Sequence, residues 1–409
     1  MNTKYFKNSK DYFEYIDDKL ESGIKIKKSL NLEIFFSDGE KIDLENSRPS
    51  RKKYIIPNYK DETVINIISG IRSNFGFDNK YDYDKELFDK KYNHIVYLLL
   101  DGLGVNVLTK TLRPSSFLRT HFYKKIEAIY PSTTSAATIS AKSGLYPLES
   151  GWTGWQNYIK EINKNVILFT GVDYFSKENI GINVNKIIPY NNFFDDMNLG
   201  EIIEPDFSKN INKIEPLLRR SLKTINKSKF QYIYYNYPDE ILHLDGIDGE
   251  RTKVKMKYID NAVKEYAEKL PEDTLLIISA DHGHTTCSPF DISNFKSLIN
   301  LLERKPSNDA RCTTFKVKVG KNDEFEDFFN LLFKNYFILY KSNDLIKTGM
   351  MGNPNDFINS RIEDFLADYT AVAISNRYFK LTDDNIIFKS HHAGITIDEM
   401  EVPLIVIKK

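Results

Sequence analysis

Three apolar runs of β type in this chain end abruptly on side chains that bind metal ions. The first, Tyr97-Leu-Leu-Leu-Asp-Gly-Leu-Gly104, ends on Asp101. The second runs from Gln231 through Tyr237-Pro-Asp239 and is followed by His243, and the third, Thr274-Leu-Leu-Ile-Ile-Ser-Ala, ends on Asp281-His282. Of the 7 histidines, His243, His282, His284, His391 and His392 fall in three short segments. Asp239 and His243 are spaced by one helical turn, so both can face one ion. Carboxylates and imidazoles without thiolates suit Zn²⁺, with Mn²⁺, Fe or Co as alternatives and Ca²⁺ a poorer fit. Asp101, Asp239, Asp281, His243, His282 and one of His391 or His392 suffice for two divalent ions with open positions. Such a centre keeps about one net positive charge, which suits an incoming phosphate or alkoxide.

A nucleophile is expected from Tyr130-Pro-Ser-Thr-Thr-Ser-Ala-Ala-Thr-Ile-Ser-Ala-Lys-Ser-Gly144. Small residues after Pro131 suit a helix start, where free N–H groups and the positive dipole end cradle phosphate. Ser132, Thr133 and Thr134 are the hydroxyls at that start, and a base or metal must activate whichever one attacks. The loop Gly151-Trp-Thr-Gly-Trp-Gln-Asn-Tyr158 carries both tryptophans. It reads either as an aromatic wall for a flat leaving group or as a rigid packed loop.

Strands that hold these residues are expected at 94–100, 125–130, 166–171, 230–237, 274–280 and 402–408, with helices at 62–76, 210–227 and 250–269. This alternation predicts an α/β fold, a mostly parallel sheet sandwiched by helices. In such folds ligands collect beyond the carboxyl ends of the strands. Residues 1–52 form an expected appendage, an amphipathic helix plus a hairpin, Leu32 to Leu44, turning at Asp-Gly. Residues 53–296 and 386–409 form the expected catalytic core, and 297–385 an inserted α+β cap.

The composition, 41% hydrophobic and 28% charged, excludes a disordered chain. With 57 basic and 57 acidic residues there is no global field for duplex nucleic acid or a membrane surface. Only Cys287 and Cys312 are present, which excludes a disulfide scaffold or Cys-ligated zinc. No apolar run approaches the roughly 20 residues that span a bilayer, and a cytoplasmic protein is expected.

The ordered set Asp101, Pro-x-x-Thr at 131–134, Asp-x-x-x-His at 239–243, Asp281-His282 and a late histidine resembles the alkaline phosphatase superfamily. The match is best with its nucleotide pyrophosphatase/phosphodiesterase branch, including Gly144-Leu-Tyr-Pro after the nucleophile segment. The resemblance covers about 90–296 and 386–409. It implies Thr134 as nucleophile, with Thr133 as the fallback. It implies two divalent ions, zinc with manganese as the alternative, one held by Asp239, His243 and His392 and the second by Asp101, Thr134, Asp281 and His282. His284 is then expected behind the ligands or at the surface. Ala393 departs from the family's closing His-Gly-Gly pattern. Trp155 stands where the phosphodiesterases carry a phosphate-binding Asn; Asn157 and the N–H of Ser135 are the alternative contacts, with Trp155 against the leaving group. The implied activity is phosphodiester or pyrophosphate hydrolysis of a small phosphorylated substrate, such as a nucleotide, through a phospho-threonine. A phosphomonoesterase, a phosphonoacetate-hydrolase-like enzyme and a degenerate binding module are the alternatives. No Arg lies in the motif segments to balance a monoester's second charge. A sulfatase's Cys-x-Pro-x-Arg is absent.

Overall fold

In the computed structural model, residues 54–57, 59, 63–193, 195, 200–206 and 213–409 are described, with four short strands nearer the N-terminus. The centre is a six-stranded sheet built from β1 (His94–Leu100), β2 (Phe122–Glu127), β3 (Gly200–Ile203), β4 (Phe230–Tyr235), β5 (Thr274–Ser279) and β6 (Glu401–Lys408). Its order is β3-β4-β1-β5-β6-β2. The first four of these run parallel, and β6 lies antiparallel between β5 and β2. Residues of β1 beyond His94 and all of β4 and β5 are buried. That is why these strands read as unbroken apolar runs without alternation: helices cover both faces of a parallel sheet. The fold is thus α/β, with a mostly parallel sheet flanked by helices.

Four helices matter for the site: α1 (Val64–Asn74), α2 (Thr134–Ser143), α3 (Asp239–Asp245) and α4 (Glu250–Glu268). Helix α2 is buried from Thr134 through Lys142, and its Ala and Ser side chains let it lie close to its neighbours. No described helix is long and apolar enough to cross a membrane.

The predicted strand at 166–171 is observed as Lys164–Ile167, outside the central sheet. It forms a hairpin with Gln156–Ile159. A turn of four residues cannot make the crossover that a parallel strand needs. This hairpin extends a second, seven-stranded sheet whose other members are Val172–Asp173, Ser307–Asn308, Cys312–Phe315, Phe337–Lys341 and Tyr369–Ala373. The segment 297–385, expected to be an inserted cap, therefore shares its sheet with the tryptophan-containing loop region. Its core is largely aromatic, built on Phe315, Phe325, Phe329, Phe333, Phe337 and Phe379. Arg311 and Glu399, both fully buried, join the insert to the chain before β6 through two bonds of 2.6 and 2.7 Å. In the N-terminal region Glu33–Phe36 pairs antiparallel with Lys41–Asp43, as the Asp-Gly hairpin requires; the helix expected there lies outside the described residues.

Candidate metal centre and nucleophile

All three strand-end carboxylates reach one edge of the central sheet. Asp101 follows β1, Asp239 opens α3 just beyond β4, and Asp281 follows β5. Because β6 runs antiparallel, the segment before it returns to the same edge and brings His392 with it. The backbone binds the strand ends together, with Asp239 N–H donating to the Asp101 carbonyl at 2.9 Å. Gly102 N–H donates to Asp281 Oδ1 at 3.0 Å. Gly102 has φ +74°, and a Cβ there would lie 3.0 Å from the Asp239 backbone. Only glycine lets Asp101 and Asp239 come this close.

The imidazoles share one orientation. His243 Nδ1 is 3.0 Å from the Ser390 carbonyl, and His392 Nδ1 is 3.0 Å from the Ser132 carbonyl. His282 Nδ1 lies 3.1 Å from the Gly283 carbonyl, and His284 Nδ1 lies 3.1 Å from Ser390 Oγ. Each ring is thereby fixed through Nδ1, with Nε2 aimed inward, the arrangement that orients metal-ligating histidines. Three of these nitrogens surround Asp239 Oδ1, His284 at 2.6, His243 at 3.3 and His392 at 3.7 Å. On the other side His282 Nε2 lies 3.2 Å from Thr134 Oγ1, 3.4 Å from Asp101 Oδ1 and 3.5 Å from Asp281 Oδ2. Thr134 Oγ1 is 3.4 Å from Asp101 Oδ2.

The donors fall into two adjoining groups, Asp239 with His243, His284 and His392, and Asp101 with Asp239 and His282. The chemistry of the set fits divalent cations. Three carboxylates are crowded together, Asp101 and Asp281 buried and Asp239 half-buried, and Asp281 Oδ2 is buried without a hydrogen-bond donor. Burial and the charges of Asp281 and Asp239 push the Asp101 carboxyl well up, and burial raises Asp281. Asp239 is held well below the usual range, because His243 and His284 outweigh its burial. Burial and neighbouring imidazoles hold His284 down at about 3 and His392 well below its ordinary value. Neutral rings and carboxylates lacking a counter-charge are what a cation would satisfy.

Thr134 is the first residue of α2, and Ser132 anchors its approach. The Ser132 hydroxyl donates to the Gly394 carbonyl at 2.7 Å, and its carbonyl accepts from Ala393 N–H at 2.8 Å. Ala393 takes φ +87°, the left-handed region where the family's glycine is at ease. Thr133, the fallback nucleophile, is fully buried and donates to Asp309 Oδ2 at 2.8 Å.

The remaining sequence candidates are placed as follows. Ser135 is fully buried, and its hydroxyl has no partner. Asn157 is fully buried, and its amide donates to Thr153 Oγ1 at 3.1 Å, beneath the loop. Trp152 is buried with its indole N–H on the Ile188 carbonyl, whereas Trp155 is 39% exposed and pairs with exposed Phe169 at 6.0 Å. So one tryptophan is packing and the other faces solvent. His391 is buried, its Nδ1 3.2 Å from the His392 carbonyl, outside both donor groups. His284 is fully buried on Asp239, so of its two expected places the surface one is excluded. Sequence reasoning missed Tyr234, whose hydroxyl donates to Asp101 Oδ2, and also Ser390 and Asp309. Tyr234 was hidden in an aromatic strand, Ser390 stands in a two-residue strand just before the late histidines, and Asp309 lies between two short strands without a motif.

The model of the type I phosphodiesterase / nucleotide pyrophosphatase family matches residues 171–366. That span contains Asp239, His243, Asp281, His282 and His284, whereas Asp101, Thr134 and His392 lie outside it. No curated protein matches the sequence. Among solved structures, human ectonucleotide pyrophosphatase/phosphodiesterase 5 is similar with TM-score 0.60 at 15% identity, over 77% of this chain and 88% of that one. An inactive threonine-to-alanine form of the murine protein, in complex with AMP, gives TM-score 0.58 at 13% identity, over 76% and 87%. Phosphonoacetate hydrolase from Sinorhizobium meliloti 1021, in complex with phosphonoformate, gives 0.57 at 12% identity, over 78% and 92%. Family model and fold agree with the ordered motifs: over residues 171–366 the chain is similar to the type I phosphodiesterase / nucleotide pyrophosphatase family, and it shares the fold of these solved structures.

Proposed function

We propose that the protein is a two-metal phosphoric ester hydrolase, acting on diesters or pyrophosphates through a covalent phospho-threonine. The observation that carries this reading is a pair of adjoining donor groups, three Nε2 atoms around Asp239 Oδ1 and His282 with Asp101, the latter pair lying within 3.5 Å of the Thr134 hydroxyl. Asp239, His243 and His392 would hold one ion, and Asp101, Asp281, His282 and Thr134 the other. Zinc suits this donor set best. Ions bound there would lower the pKa of the Thr134 hydroxyl and offset the charge of the phosphoryl oxygens.

The chain's own residues set the geometry. Thr134 Oγ1 is held at the N-terminus of α2, so its attack on phosphorus brings the phosphoryl oxygens toward the first-turn amides. The leaving oxygen departs opposite Thr134, and water then cleaves the phospho-threonine to return the hydroxyl. At 7% exposure Thr134 is shielded from bulk solvent. Trp155, exposed beside this segment, supplies a flat surface for a planar leaving group.

The inactivity of the threonine-to-alanine form of a similar protein supports a threonine nucleophile. Arg311 donates to both carboxylate oxygens of Glu399 and to the Arg377 carbonyl, which supports a diester over a monoester with its second charge. A phosphonate substrate is the second reading, favoured by the similarity to phosphonoacetate hydrolase. The test is metal-replete wild type and Thr134→Ala against bis-p-nitrophenyl phosphate, p-nitrophenyl phosphate and phosphonoacetate. Expected is preference for the diester, and a loss of at least ~10³-fold in the variant with metal content unchanged. Substantial turnover by a metal-loaded Thr134→Ala protein refutes the nucleophile.

A further inference from the structure

Helix α2 starts in an unusual way. Thr133 is its N-cap, with extended backbone (φ −137°, ψ 146°), yet its side chain makes no capping hydrogen bond. A threonine there ordinarily accepts from an amide of the first turn. The hydroxyl is drawn instead to Asp309, a carboxylate 176 positions away in the inserted segment, at 2.8 Å. Asp309 is 5% exposed, and the same Oδ2 accepts the N–H of Trp155 at 3.3 Å. Its own place is fixed by a tight turn. Oδ1 accepts from Ala310 N–H at 2.9 Å, its N–H donates to the Cys312 carbonyl at 3.0 Å, and its carbonyl accepts from Thr313 Oγ1 at 2.6 Å. Beside it the hydroxyl of Ser135 is fully buried and has no partner among the described residues.

We propose that Asp309 is a positioning residue that diverts Thr133 from capping α2. The first-turn amides and the Ser135 hydroxyl are thereby left to bind the phosphoryl oxygens. Through Trp155 N–H the same carboxylate fixes the loop that bears Trp155. The insert thus sets the readiness of the anion site without touching the substrate. The argument rests on the phosphoester reading for its substrate, though not for its geometry.

Without Asp309, the Thr133 hydroxyl turns to the Ser135 or Ala136 amide and competes with the phosphoryl oxygen. Loss of one such donor costs roughly 10²-fold in kcat. Asp309→Ala is therefore expected to lower kcat by that order with KM little changed. Adding Thr133→Val, which cannot cap, should recover at least ~10-fold of it. Asp309→Asn, whose amide oxygen can accept the Thr133 and Trp155 bonds, should lose much less than Asp309→Ala. A purely structural role predicts no recovery in the double variant. Full activity in Asp309→Ala, or no recovery in a folded, zinc-loaded double variant, overturns the proposal. So does an Asp309→Asn protein as impaired as Asp309→Ala. If Asp309→Ala does not fold, Asp309→Ser takes its place. Inorganic phosphate is also titrated into zinc-loaded wild type while the Ser135 and Ala136 amides are followed by NMR. Shifts at both support the cradle, and their absence overturns it. Wild type that cleaves no ester would defeat the hydrolase reading alone, and the phosphate titration would still decide this one.

Discussion

Replacing His284 by alanine tests the orientation of Asp239. His284 Nε2 lies 2.6 Å from Asp239 Oδ1, and its Nδ1 lies 3.1 Å from Ser390 Oγ, with the ring fully buried. A hydrogen bond to an ionised group inside a protein contributes ~1.5–3 kcal/mol. At about 1.4 kcal/mol per tenfold, losing it weakens the ion held by Asp239, His243 and His392 by roughly 10–150-fold. This matches the ~10–100-fold effect of groups that orient ligands from behind. The assay is zinc competition against a chromophoric chelator, with stoichiometry read at saturation. The expected result is one ion unchanged and one weakened, with two still bound in excess zinc. Two outcomes refute the reasoning. Unchanged affinity for both ions would mean that His284 does not orient Asp239. Permanent loss of one ion would make His284 a ligand in its own right.

Two further outcomes concern the fold. Arg311→Met removes one partner of a buried, doubly bonded pair and leaves Glu399 without its counter-charge, so a loss of ~3–5 kcal/mol is expected in urea unfolding; a loss under ~1 kcal/mol would show the pair to be dispensable. His391 is held well below its ordinary 6.5 by burial first, then by His243 and Arg311. Its folded value lies below its unfolded one, so the unfolded chain binds the extra proton. Its contribution is present above pH 6.5 and is lost as pH falls below it. The pH dependence of metal-free stability between 6.5 and 4.5 should therefore flatten in His391→Gln, and an unchanged slope contradicts the assignment.

The central sheet was readable because its parallel strands are buried on both faces, so their apolar runs announce themselves and stop where the ligands begin. Asp101, Asp239 and Asp281 were legible for that reason, and His243 through its one-turn spacing from Asp239. The hairpin at 156–167 was not, since its apolar residues do not say which sheet they join. The role of His284 depends on where its ring reaches, which spacing alone does not give. The link between Asp309 and Thr133 joins two turns far apart in the chain, and neither carries a periodic pattern. The edge strand Gly200–Ile203 has four residues and a glycine, too little for a pattern.

The donor set is interrupted by the inserted segment, with Asp281, His282 and His284 before it and His392 after it. During vectorial synthesis Asp101 leaves the ribosome long before His392 does. Until then the strand-end carboxylates lack the last imidazole. In the proposed assignment the donors of one ion, Asp101, Thr134, Asp281 and His282, all precede the inserted segment, whereas the ion of Asp239 and His243 would wait for His392, which arrives just ahead of β6. Antiparallel entry of that one strand is what carries the last of the proposed donors to the shared edge of the sheet.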